Sequence, residues 1–170
     1  IYCELTLLSA KQQGVTSVPN AQVRRQAISD LVTVIVARDL ARQKGVTPDK
    51  KLYELSASQL KDIAKAFPKG DDAETVESAI ENSQEIAAIA IALGEGSSGT
   101  TATAENQQEL SSAGQADITA AFKDHDVSFA PRFGLSGRLN DLGPTGSLSV
   151  SSVGSDAPAE DKLPAAQRCA

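Results

Sequence analysis

The chain has no Trp and no Met, and only two Tyr, four Phe, one His and two Cys in 170 residues. With so few aromatics, a core has to be assembled from Ala, Val, Ile and Leu. Positive charge is short as well: 16 Lys and Arg against 22 Asp and Glu leave a net charge of −6. That balance argues against nucleic acid as the main partner, because there is no basic excess to neutralise phosphates. No apolar run approaches the ~20 residues that a membrane-spanning helix needs. With a single His and no G-x-S-x-G elbow, no ready nucleophilic triad is offered. His125 has no second His or Cys nearby to complete a metal-ligand set. The sequence thus nominates no catalytic, metal or cofactor residue, and the expectation is a protein that is not an enzyme.

What is there is an ordinary globular mixture, 41% apolar and 22% charged, and the length suits one domain with a tail. Apolar spacing predicts a mostly α protein, a five-helix bundle over residues 1–126. The first helix covers 2–13, with Leu5, Leu8 and Tyr2 on one face and Gly14 as its stop. The second covers about 21–44, capped by Asn20 and ended by Gly45, with Val23, Ile28, Leu31, Val32, Ile35 and Leu40 as its apolar face. Thr47-Pro48 should start a third helix over 49–66, with Leu52, Leu55, Leu60, Ile63, Ala64 and Phe67 facing inward. Asp71 and Glu74 resemble a capping box for a fourth helix over 72–93. Its run of eight apolar residues from Ile86 to Leu93 implies burial on nearly all sides. A fifth helix over 103–124 places Leu110, Ile118, Ala121 and Phe122 on one face, with Gly114 inside it at a cost of ~1 kcal/mol.

Between the fourth and fifth helices, Gly94-Glu95-Gly96-Ser97-Ser98-Gly99 spells G-x-G-x-x-G. It comes after a helix rather than leaving a strand, so it reads as a flexible loop and not as a nucleotide site. His125 reads as a cation at a helix C-terminus. Residues 127–153 form an extended segment that should dock on the bundle through Val127, Phe129 and Phe133, its geometry fixed by Pro131, Arg132, Phe133 and Gly134. Residues 154–170 read as a polar coil tail.

Cys3 and Cys169 admit three readings: two inert buried thiols, a redox pair, or one structural disulfide tying the tail to the first helix. Cys169 stands in a polar tail with no apolar periodicity to hold it, and the disulfide is the expectation on that ground. Closing a loop of more than 100 residues would stabilise by about 5 kcal/mol on the chain-entropy argument.

Two stretches together resemble a known family. Gln22 to Val46, QVRRQAISDLVTVIVARDLARQKGV, resembles the long helix of the SurA-type N-terminal chaperone domain, with Ala41 and Gly45-Val46 in its Ala-x-x-x-Gly-Val/Ile step and Thr47-Pro48 after it. The segment from Asp126 to Gly134, DVSFAPRFG, resembles that family's V-x-V-(D/N)-P-R-(F/Y)-G stretch, with Ala130 in place of the usual Asp or Asn. Gly146 to Val150, GSLSV, is similar to the stretch that comes after that segment in actinobacterial SurA-like exported lipoproteins. The parvulin domain of the family has no counterpart, so its catalytic residues map onto nothing here.

The resemblance implies an exported, non-catalytic, chaperone- or foldase-type protein at the cell envelope. Its partners would be unfolded client or membrane proteins, with neither nucleic acid nor nucleotide bound. The alternative is a structural accessory subunit docked on the extracytoplasmic face of a membrane protein complex. The chain opens at Ile1 without Met or a helix cap; the expectation is that further residues precede it and would carry any signal or lipid anchor. The envelope is oxidising, which permits the Cys3–Cys169 bond.

Overall fold

Helix α1 spans Asn20–Lys44 and ends as its sequence dictates. Gly45 adopts a left-handed φ of +67°. The Gly45 amide donates to the Arg42 carbonyl (3.2 Å) and the Val46 amide to the Ala41 carbonyl (3.0 Å). This pair of bonds satisfies two carbonyls that a helix terminus would otherwise leave open. The computed structural model describes residues 3, 6, 17–68, 70–130, 133–139 and 168–169, without the side chains of Gly70 and Asp71. Of the expected helix over 2–13, only Cys3 and Thr6 fall among them, and both are helical.

The protein is mostly α: four helices pack together, and a small two-strand sheet is joined by a disulfide. The chain divides into two compact units, one of Asp30–Asp126 and one of the two ends, Ile1–Ser29 with Val127–Ala170.

In the first of these units the expected helix over 49–66 is two elements. Lys50–Leu52 forms a 3₁₀ turn whose cap, Asp49, accepts from the Lys51 amide. Helix α2 then covers Ala57–Ala66. The interruption is local chemistry. Ser56 Oγ accepts from the Gln59 amide (3.3 Å), and Gln59 Oε1 accepts from the Ser56 amide (2.9 Å). That reciprocal capping box starts a new helix, so Thr47-Pro48 starts none. The expected apolar face is corrected too: Leu52 and Leu60 are exposed, and Ile63 is the residue of that set that is buried.

Helix α3 runs Gly70–Ser98, longer at both ends than the expected 72–93. Asp71 therefore lies inside its first turn rather than ahead of it. Of the apolar run over 86–93, residues 88–93 are buried, with Gly94 after them, whereas Ile86 is half-buried and Ala87 exposed. The expected loop after Leu93 is helical as far as Ser98, and Gly99, at φ +68°, ends it. Helix α4, Gln107–Ala121, returns antiparallel along α3 and buries Leu110, Gly114, Ile118 and Ala121, followed by Phe122.

The reason that glycines are helical here is the crossing itself. A Cβ on Gly94 would overlap the Leu110 carbonyl, and one on Gly114 would overlap the Ala90 carbonyl. Ala90 and Gly94 on α3 thus mesh with Gly114 and Leu110 on α4, four residues apart on each helix. Small residues at that spacing let two helix backbones approach more closely than larger side chains permit. The Glu95 carboxylate closes the connection by accepting from the Ala102 amide at 2.5 Å.

In the unit made of the chain ends, Val18–Pro19 (β1) pairs antiparallel with Arg168–Cys169 (β2), Val18 opposite Cys169 and Pro19 opposite Arg168. Cys3 and Cys169 are bonded, their Cα atoms 5.2 Å apart, within the ordinary range for a disulfide. Val23 and Cys169 are buried there, with Cys3 and Val18 packed against them. Arg168–Cys169, expected as part of the coil tail, is therefore strand. Residues 127–130 are irregular rather than strand-like, and Val127, Phe129 and Phe133 are half-buried. Leu135, to which the sequence draws no attention, is the buried apolar side chain of that stretch. The docking expected of residues 127–153 and the coil expected of 154–167 fall mostly outside the described residues.

Candidate functional site

Of the apolar face that the periodicity of α1 suggests, Val23 and Leu40 are buried, Ile28 and Val32 half-buried, and Leu31 and Ile35 exposed. Val23, Ala27, Val34, Ala37, Leu40 and Ala41 point inward, together with Val36. Leu31 and Ile35, expected to be core, are 43% and 63% exposed. They sit one turn apart on the open face of the helix. A run of six residues from Leu31 to Val36 with a single Thr supplies more aliphatic side chains than one buried face can take.

Beside Ile35 lies an open groove of about 460 Å³. Helix α1 contributes Ile35, Arg38, Ala41 and Arg42. The turn that Gly45 makes possible brings Val46, Thr47 and Pro48 to the opposite wall, and α3 adds Glu85 and Ile89. The apolar lining is Ile35, Ala41, Val46, Pro48 and Ile89.

The polar edge of the groove is internally paired. Arg38 donates through Nε and Nη2 to both oxygens of Glu85 (3.0 and 2.5 Å) and through Nη2 to Asn82 Oδ1 (3.1 Å). The Glu85 hydrogen bonds raise the Arg38 guanidinium above its ordinary pKa, against the smaller opposing effect of partial burial. Arg38 is thus a fixed cation in a two-pronged fork, which also ties α1 to α3. Arg42 donates to Asp39 Oδ1 (2.6 Å), and Gln43 to Asp39 Oδ2 (2.7 Å). His125 Nε2 lies 3.7 Å from the same Asp39 Oδ2, an ion pair when the imidazole is protonated. That acid gives His125 a plain structural setting.

The residues expected from the sequence to be of structural importance lie elsewhere. Cys3 and Cys169 meet in the disulfide. Gly134 is buried at φ +64°, a conformation that suits glycine. Phe133 donates its amide to the Ala130 carbonyl (3.0 Å). Pro131 and Arg132 lie outside the described residues. Among the described residues, Cys3, Cys169, Phe133 and Gly134 do not line the groove, whereas Ala41, Val46, Thr47 and Pro48, singled out in the sequence with the Ala-x-x-x-Gly-Val step, do. The one available signal is the surplus of aliphatics from Leu31 to Val36 together with the Gly45–Pro48 turn.

Among the described residues no three His, Cys, Asp or Glu side chains are grouped to hold a metal ion, and no helix is long and apolar enough to cross a membrane. What the groove offers chemically is apolar contact with a paired, polar rim. Comparison with protein-family models, with curated proteins and with solved structures finds no match for this chain.

Proposed function

We propose that the protein is a non-catalytic, SurA-like binding protein of the cell envelope that holds apolar segments of unfolded client or membrane proteins. The observation that carries this reading is the exposure of Leu31 and Ile35 beside a groove lined by Ala41, Val46, Pro48 and Ile89. Contiguous exposed aliphatic surface next to a concavity is the surface that a protein-binding site presents. The Cys3–Cys169 bond agrees with an oxidising compartment. The family resemblance at Gln22 to Val46 and Asp126 to Gly134 supports the same reading.

The test is capture of a non-native protein. The full chain should slow the aggregation of a chemically unfolded, aliphatic-rich substrate, and a photo-crosslinking side chain placed at Leu31, the neighbouring exposed position, should label that substrate. Ile35→Asp should abolish both effects while leaving the far-ultraviolet circular dichroism unchanged. A wild-type protein that neither delays aggregation nor crosslinks would sink the reading. Stoichiometric recovery of one tightly bound partner from native membranes, with no effect on unfolded substrate, would favour the fixed accessory subunit instead.

A further inference from the structure

The two units differ in how the chain builds them. Asp30–Asp126 is continuous in sequence, and its helices share buried residues from Val34 to Phe122. The other unit is made from the two ends of the chain. Among the described residues, those ends meet through the Cys3–Cys169 bond, two residue pairs of antiparallel ladder, and the cluster of Val23, Cys169, Cys3 and Val18. The ladder is weak for a reason visible in the sequence. One of the two residues on its first strand is Pro19, which has no N–H to donate. A pairing of this length is marginal without other support. It must also bring together Val18 and Cys169, from near the two ends of the chain, against a closure entropy that grows with loop length. A covalent bond removes that cost in advance.

We propose that the disulfide is an oxidation-dependent clasp: it closes β2 over Val23 at the start of α1, and its reduction opens that closure while Asp30–Asp126 stays folded. Val23 and Cys169 are each 3% exposed in the closed state, so opening uncovers an apolar site on the first turns of α1. Cys3 is the more accessible of the two residues, which favours attack by a reductant at that end of the bond. A dithiol reductant attacks there through one thiolate, forming a mixed disulfide with Cys3 and displacing Cys169 as the thiolate. The reductant's second thiol then displaces Cys3. Two electrons and two protons pass to Cys3 and Cys169, and the reductant leaves as its own disulfide.

Hydrogen exchange read by mass spectrometry on the full chain, with and without dithiothreitol, tests the clasp. Peptides carrying the Val23 and Cys169 amides should exchange faster after reduction, by about tenfold or more, while those covering residues 88–94 and 110–118 stay unchanged. Cys169→Ser without reductant should reproduce the reduced pattern. Unchanged exchange at Val23 and Cys169 would show the bond to be dispensable for closure and would overturn the proposal. Equal acceleration in α3 and α4, or a Cys169→Ser variant that does not fold at all, would show one cooperative structure and would overturn it as well.

Discussion

Gly114 of α4 lies so close to the Ala90 carbonyl of α3 that a single added methyl would overlap backbone. This contact reverses the usual sign of a helical glycine substitution. In an isolated helix Gly→Ala gains ~1 kcal/mol. Here the added carbon meets a carbonyl group that cannot rotate away, and overpacking of that kind costs roughly 1–3 kcal/mol. Gly114→Ala should therefore lower the midpoint of urea or thermal unfolding. Gly96→Ala is the control, because its Cβ would meet the tip of the Val46 side chain at 3.1 Å, which can shift. Gly96→Ala should be neutral or slightly stabilising, and equal effects at the two sites would contradict the meshed crossing.

Gly45 presents the opposite situation. A Cβ there would meet nothing within 4 Å, so substitution is costly only through its left-handed backbone. Gly45→Ala should destabilise by about 1–2 kcal/mol. Gly45→Asn should cost less, because Asn tolerates that conformation. Unfolding curves for the two variants separate backbone strain from packing, and an Asn variant worse than the Ala variant would contradict the assignment.

Ser56 marks the restart of the chain after Lys50–Leu52. Its side chain caps α2 in a fully reciprocal box with Gln59. Ser56→Ala should cost about 0.5–2 kcal/mol, whereas Ser58→Ala, inside the first turn and on the same exposed surface, should have little effect. Denaturation midpoints of the two variants test this. Equal effects would mean that the box does not start the helix.

How far the sequence foretells this arrangement depends on the kind of feature. Residues 88–93 are legible as a buried helix because an uninterrupted apolar run has little to offer solvent, though Ala87 near its start is exposed. The face of Leu110, Ile118 and Phe122 is legible because polar residues separate its members at helical spacing. The disulfide is legible because a Cys in a polar tail has no other holding force. The helical state of residues 94–98 is not: propensity reads two glycines and two serines as loop, and the close approach to Leu110 overrides it. Ser56-x-x-Gln59 is a readable start signal, but Thr47-Pro48 supplies a competing one. The β1–β2 pairing leaves no trace, since two residues on each side, one of them Pro, carry no strand pattern. The groove leaves only the aliphatic surplus from Leu31 to Val36 and the Gly45–Pro48 turn, because it depends on which side of α1 is buried. Ala27, Ala37 and Ala41 are buried on that side, and an amphipathic average cannot resolve it among six consecutive aliphatic-rich positions.

That last point yields the sharpest comparison. Ile35 and Ile89 both line the groove, yet Ile35 is 63% exposed and Ile89 is 1% exposed. Truncating each to Ala removes the same atoms. At Ile89 the loss is of buried contacts and leaves a cavity between helices, which costs about 2–5 kcal/mol. At Ile35 most of the side chain already faces water, and the change should stay within about 0.5 kcal/mol. For a chain of this size the difference should appear as several degrees in the unfolding midpoint, at roughly 2–4 °C per kcal/mol. Periodicity alone places Ile35 in the core and would predict a large loss for Ile35→Ala. A substantial destabilisation there would return Ile35 to the core and remove the exposed surface on which client binding is argued. A silent Ile35→Ala that also weakens substrate capture would separate the residue's role in binding from any role in folding.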